Sequence, residues 1–297
     1  MTSKKTTLLV MAAGMGSRFG SLKQITPLGP HQKALLHYTV YDAVHAGFDK
    51  IVFIIRESFA QEFIEFVGKY AEGLVETKYC FQRMDKLPGN LPAIEREKPW
   101  GTAHAIWCAK DEIHEPFAAL NADDFYGSDA FVKAHDFLAQ DATDKEFGLV
   151  GYRLASTLSE NGTVSRGICE SDANGHLTAV TERTKIARQA DGSIKDEDSG
   201  ILLHDEDLVS MNFWAFTPRI FDEIEQQFME FYPLNKDNLK SEFYIPKVVD
   251  QVIKRGIAQV KVLKTDAKWF GVTYKEDTPG VNAALEAFDK EGKYTDL

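Results

Sequence analysis

The chain has 297 residues, 44% of them hydrophobic and 27% charged, with a formal net charge of -11. That length can bury a large core, and the composition excludes a disordered or low-complexity protein. The negative charge, with lysines and arginines scattered rather than gathered in a stripe, excludes nucleic acid and anionic membranes as partners and leaves small phosphorylated ligands met by a local cationic pocket. No run reaches the roughly 20 apolar residues of a membrane span. The first five residues lead straight into an apolar strand rather than a signal-peptide core, so the expected location is cytoplasmic. Cys80, Cys108 and Cys169 form no Cys-x-x-Cys pair and read as reduced structural thiols rather than disulfides or a zinc site.

Residues 8–13 are an apolar run of strand length that stops at small residues, and Gly14, Gly16 and Gly20 then permit a tight turn. Such a turn offers backbone N–H groups to phosphate, and Arg18 and Lys23 place two cations beside it. The spacing also approximates a dinucleotide fingerprint. That reading needs an acidic residue closing a second strand about 20 residues on, whereas the strand at 51–55 ends in Arg56 and Glu57 about 30 residues away. An NAD(P)-dependent oxidoreductase is therefore a poor fit, and phosphate binding and a plain turn both stay open here.

Apolar spacing predicts a helix over 35–44 stopped by Gly47, a strand over 51–55, a helix over 60–70 and a strand over 75–82. This alternation favours a parallel, doubly wound sheet, whose ligands sit at the carboxyl ends of the strands. Pro88, Pro92 and Pro99 make 83–100 a long irregular loop. A helix starts at 101–107, and a buried strand at 117–121 ends in Ala122-Asp123-Asp124-Phe125-Tyr126-Gly127. The adjacent carboxylates suit a divalent metal; they equally suit a solvated turn before a helix at 129–138. Strands follow at 148–153, 166–171 and 176–183, with Asn174-Gly175 as a hairpin turn. Residues 184–200 read as an exposed polar excursion and 204–207 as a solvated acidic turn. A strand at 211–216, helices over 218–231 and 243–255, a strand at 260–264 and a helix over 281–290 complete the chain.

Taken in order, these motifs resemble the sugar-1-phosphate nucleotidyltransferases over nearly the whole chain. Gly14, Gly16, Arg18, Lys23 and Gln24 match the opening loop of that family. Gln82 with Gly101-Thr102-Ala103-His104-Ala105 is similar to the base-reading segment of its uridylyl and thymidylyl branches. Arg166-Gly167-Ile168-Cys169-Glu170, Val180-Thr181-Glu182-Arg183, Asn212 and Ser241-Glu242-Phe243-Tyr244 resemble segments around the sugar. The resemblance implies an α/β, Rossmann-like doubly wound mixed sheet of the GT-A-like nucleotidyltransferase type, as one domain over 1–297. Residues 1–146 would be mainly the nucleotide half and 147–297 mainly the sugar-phosphate half.

It further implies a nucleoside triphosphate and a sugar 1-phosphate as small-molecule partners, with Mg²⁺ as cofactor. Arg18, Lys23 and Asp123 take the catalytic roles. Ala12, Ala13, Gly14, Met15, Gly16, Ser17, Gln82, Gly101 and Thr102 contact the nucleotide, Gln82 pairing with O4 and N3–H of uracil or thymine. Gly167, Glu182, Arg183 and Asn212 hold the sugar phosphate. Asp123 is the metal ligand, with Asp124 as fallback. Three features depart from the family pattern: a short Arg18 to Lys23 spacing, Arg183 in place of a frequent lysine, and Trp269-Phe270-Gly271-Val272-Thr273-Tyr274 where a second metal carboxylate is usual. Asp277 is the replacement ligand, or simply a residue at a helix N-terminus. UTP is the expected donor, with dTTP and CTP next, and a non-catalytic nucleotide-sugar sensor is the rival from another class.

Overall fold

The computed structural model describes residues 4–14, 27–96, 98–159, 162–271 and 277–297. The first apolar run forms β1 (Thr7–Met11), flanked on one side by β2 (Lys50–Ile55) and β3 (Glu76–Phe81) and on the other by β4 (Phe117–Asn121). All four strands are parallel, with Leu8 opposite both Ile51 and Ala118. Successive strand side chains point to opposite faces, so both faces need cover. Leu8 and Val10 pack among residues of α1 (Leu35–Ala46), α2 (Ala60–Phe63), α3 (Lys69–Glu72) and α5 (Ser128–Gln140), whereas Leu9 joins the core under α4 (Thr102–Trp107), α6 (Arg219–Asn235) and α7 (Ile245–Lys254). The doubly wound arrangement expected from the alternation is thus present, and the three side chains are fully buried.

Gly47 ends α1 in the left-handed conformation, φ 103°, donating its N–H to Val44 O at 3.1 Å. On the same helix Asp42 is buried and accepts a hydrogen bond from the Tyr294 hydroxyl at 3.0 Å. Burial pushes its carboxyl up to about 8. The folded chain therefore keeps a proton that the unfolded chain releases above its ordinary value of 3.8, and stability falls as pH rises from there to about 8. Asp42→Asn, which keeps an acceptor for Tyr294, should raise the melting temperature at pH 8 by a few degrees and flatten the decline between pH 5 and 8. Parallel thermal melts of the two proteins across that range check this.

The second half extends the sheet with antiparallel strands. Here β6 (Glu146–Arg153) pairs with β11 (Leu208–Phe216) and, in parallel, with β12 (Gln259–Thr265). Strands β7 (Val164–Ser171) and β8 (Leu177–Arg188) form the hairpin expected at Asn174-Gly175, Gly175 having φ 77°. Opposite β6, the partner of β11 changes from β7 to β4 at an irregularity between Ser210 and Trp214. Asn212 sits in that irregularity with φ 61°, a left-handed conformation that asparagine tolerates better than most residues.

Residues 184–200 are mostly exposed, as expected, but the sequence reading missed that they form paired strands. β8 runs on to Arg188 and pairs with β9 (Ile194–Asp196), which pairs with β10 (Leu202–Leu203). The stretch is polar because charged cross-strand neighbours, Arg183 with Asp196 at 2.9 Å and Lys185 with Asp198 at 2.7 Å, hold it, while Ile186 and Ile194 supply its buried positions. A two-stranded ribbon of β5 (Asp124–Phe125) and β13 (Phe270–Gly271) lies beside α8 (Thr278–Lys290), which packs on α1 through Val281, Leu285, Leu35 and Tyr38. No helix among the described residues is long and apolar enough to cross a membrane.

Candidate active site

Where β1 stops, the backbone leaves the sheet at its carboxyl edge. Ala12 still donates to Ile54 O at 2.8 Å, and Ala13 O accepts from Arg56 Nε at 2.8 Å. Arg56, standing where a dinucleotide site needs an acid, thus anchors the start of the loop. Gly14 follows, and a Cβ built on it would meet nothing within 4 Å among the described residues. Met15, Gly16, Ser17, Arg18 and Lys23 lie outside the described residues.

A cavity of about 330 Å³ opens at this edge. Met11, Ala13 and Gly14 form one wall; Asn121 at the end of β4 and Asp123 just after it form another; Gln82, Gly101, Thr102 and Ala105 form a third. The structure therefore brings together six residues singled out in the sequence, Ala13, Gly14, Gln82, Gly101, Thr102 and Asp123. Ala12 is buried in the sheet behind them.

The third wall has a specific local cause. Gly101 has φ 101°, and a Cβ there would meet Phe243 N and O at 2.7 Å. Around it the backbone is laced to the segment before α7: Phe243 N donates to Trp100 O at 2.6 Å, Ala103 N to Phe243 O at 3.0 Å, and Ile245 N to Thr102 Oγ1 at 3.0 Å. The long loop before it is pinned rather than loose. Trp100 is fully buried, donates from Nε1 to Met84 O at 3.2 Å, and carries the Arg96 guanidinium 3.4 Å above its ring. Lys98 and Glu242, 3.6 Å apart, line the same cavity. Glu242 belongs to a segment the sequence had assigned to the sugar; Lys98 and Asn121 did not stand out there, although Asn121 directly precedes the acidic turn at a strand end.

Asp124 faces differently from Asp123. Its Oδ2 accepts from Asn121 Nδ2 at 3.0 Å and lies 3.2 Å from the Tyr126 hydroxyl, and a Cβ on Gly271 would stand 2.7 Å from its Oδ1. The glycine found where a second carboxylate was expected leaves room for this one. Asn121 Oδ1 accepts in turn from Asn212 Nδ2 at 2.9 Å, and Asn212 Oδ1 from Trp214 Nε1 at 2.7 Å. A continuous polar chain thus links Asp124 to the bulge of β11. Asp277 occupies the N-terminal cap position of α8.

Among the described residues no three His, Cys, Asp or Glu side chains gather into a metal cluster. One or two hard carboxylate oxygens beside a cavity fit Mg²⁺, which commonly takes few protein ligands and completes its shell with water and substrate phosphates. Asp123, lining the cavity, is the residue placed to supply them, with Asp124 next to it.

A second cavity of about 730 Å³ lies between β8 and α7, lined by Glu182, Trp214 and Tyr244 among others. Gly167 is paired with Glu182 across the β7–β8 hairpin. Burial raises the Glu182 carboxyl, opposed by the charge of Arg166. Arg183 points elsewhere, to Asp196 at 2.9 Å and Ser199 Oγ at 3.2 Å. Arg166 itself was not a sequence candidate. It stacks 4.7 Å from the Trp269 ring and donates to Thr157 Oγ1 at 3.0 Å. Burial lowers its pKa to about 10, against the pull of Asp124 and Glu182. An arginine next to Gly167 was the one signal available for it.

A family model described as nucleotidyl transferase matches residues 7–287. UTP–glucose-1-phosphate uridylyltransferase of Bacillus subtilis is 30% identical over 128 residues, which are 39% of this chain and 43% of that protein. The chain spans about half the length of the relatives it matches, 43% to 52%. Among solved structures, a UDP-glucose pyrophosphorylase complexed with UDP-glucose superposes with TM-score 0.59 at 17% identity, covering 97% of this chain and 99% of that one. The inositol-1-phosphate CTP transferase from T. maritima superposes with TM-score 0.60 at 14% identity, covering 99% of both. These likenesses establish a shared mixed α/β fold.

Proposed function

The chain belongs to the nucleotidyl transferase family, and from that premise we propose that it transfers a uridylyl group from UTP to a sugar 1-phosphate, a hexose or N-acetylhexosamine derivative, in the cytoplasm. The observation that carries this reading is the cavity at the carboxyl ends of the parallel strands, lined together by Gly14, Gln82, Gly101, Thr102 and Asp123. The Bacillus subtilis relative, a UTP–glucose-1-phosphate uridylyltransferase, favours UTP.

In the proposed reaction a phosphate oxygen of the sugar 1-phosphate attacks the α-phosphorus in line. The new P–O bond forms as the bond to the β-phosphate oxygen breaks, and pyrophosphate leaves with the electron pair. No protein nucleophile and no obligatory proton transfer are needed, so the protein's task is positioning and charge stabilisation. Arg18 would hold the leaving pyrophosphate and Lys23 the oxygens around the α-phosphorus. Asp123 would hold Mg²⁺, with Asp124 or Asp277 as second ligand. Bound Mg²⁺ would supply neutralisation of the triphosphate charge. Glu182, Gly167 and Asn212 would position the sugar. For Arg183 to reach the sugar phosphate, its ion pair with Asp196 must open.

The test is pyrophosphate release with Mg²⁺ across UTP, dTTP, CTP, ATP and GTP, each with glucose, galactose, N-acetylglucosamine and mannose 1-phosphates. Release that requires both substrates and is fastest with UTP is the expected result. Should no pair react while a nucleotide sugar still raises the melting temperature, the chain is a sensor and not a transferase.

A further inference from the structure

Gln82 lines the nucleotide cavity just beyond β3, and His104 lies beneath it with no exposed surface. The two ends of an amide have the same shape, so their chemical neighbours must identify them. One end faces Gly101 O at 3.1 Å. A carbonyl oxygen only accepts, so this end is the NH₂ group. The same nitrogen lies 3.4 Å from His104 Nδ1, whose role is decided at the far side of the ring. There Nε2 sits 2.8 Å from Lys86 O, again an obligate acceptor, so Nε2 carries the proton. Burial keeps the ring neutral, holding its pKa down to about 4. Nδ1 is therefore an acceptor. Cys108 Sγ is 4.0 Å from it, at the outer limit of a sulfur contact, and its thiol is the weaker donor. Both amide hydrogens of Gln82 are thus directed to acceptors of the protein itself.

We infer that His104 is a positioning residue for base choice: with Gly101 O it holds the Gln82 amide nitrogen, leaving Oε1 as a pure acceptor for the bound base. Such a site takes a ring that presents an N–H at the reading edge, as uracil and thymine do with N3–H. It disfavours one presenting a bare ring nitrogen, as cytosine does. No amide hydrogen remains for O4, so Gln82 makes one contact to the base rather than the two expected from the sequence. This inference rests on the nucleotidyl-transfer reading and narrows it.

Calorimetric binding of UTP and CTP to the wild type, His104→Leu and His104→Asn tests it. Leucine fills the space among Trp107 and Phe228 but cannot accept, whereas the asparagine oxygen can stand in for Nδ1. The wild type should prefer UTP by about tenfold or more, the size of one buried hydrogen bond. His104→Leu should lose most of that margin and His104→Asn regain it, with KM for UTP moving more than kcat. A folded His104→Leu protein that keeps the margin overturns the inference alone. A wild type that binds no nucleotide overturns the transferase reading instead. Long-range proton–nitrogen NMR of the wild-type imidazole gives an answer that needs no variant: an Nε2–H tautomer supports the assignment, and an Nδ1–H tautomer overturns it.

Discussion

Asp123→Ala should lower kcat for pyrophosphate release by about 10²–10³-fold, the range for removing a group that stabilises developing charge. Its melting temperature should stay close to that of the wild type. Asp123 lines the cavity at the end of β4 and is only half-buried, so its removal leaves the core intact. The contrast with its neighbour makes the experiment decisive. Asp124 is tied to Asn121 Nδ2 and Tyr126, and Tyr126 is fully buried, so Asp124→Ala strands polar groups inside the protein. That variant should lose stability, about 1–3 kcal/mol, before anything else. If Asp123→Ala keeps kcat within tenfold while Asp124→Ala abolishes turnover in a folded protein, the two roles are reversed.

Gly101→Ala should be the most damaging single methyl in the cavity wall. Its φ of 101° disfavours any L side chain, and the new Cβ would press against Phe243 N and O, which are backbone atoms and cannot swing away. Strain of this kind costs about 2–3 kcal/mol, and for a chain of this size that lowers the melting temperature by about 5 °C or more. Relief requires displacing the Gly101 carbonyl that holds Gln82, so UTP affinity should fall by about tenfold as well. Gly14→Ala is the control, because among the described residues a Cβ there meets nothing within 4 Å. Its stability should be unchanged, and any loss of activity in it reports on the ligand's approach to the loop. A Gly101→Ala protein that melts with the wild type and binds UTP normally would show that the wall is soft.

Much of the fold was legible because burial writes itself locally. The apolar run of β1, the helical spacing of α1 with Gly47 behind it, and the Asn174-Gly175 hairpin each carry a short-range pattern set by strand pleat, helix turn and backbone sterics. The strand pairing of 184–200 was missed for the same reason. Its charges look like loop when read one at a time, and they become sheet only when Arg183 and Lys185 meet Asp196 and Asp198 across a strand gap.

The chain order alone determined that Gln82 and Asp123 fall at the carboxyl ends of strands and Gly101 at the start of a helix, because alternating strands and helices in a parallel sheet deliver those points to one edge. Three-dimensional contact alone decided what those side chains do there. Asn212 meets Asn121 from 91 residues away through a change of strand partner, Arg183 is drawn to Asp196, and the Gln82 amide is turned by a histidine whose own tautomer is set by Lys86 O. Periodicity encodes which face of an element is buried. The direction of a hydrogen bond depends on both partners at once, and for these residues the partners are remote in sequence.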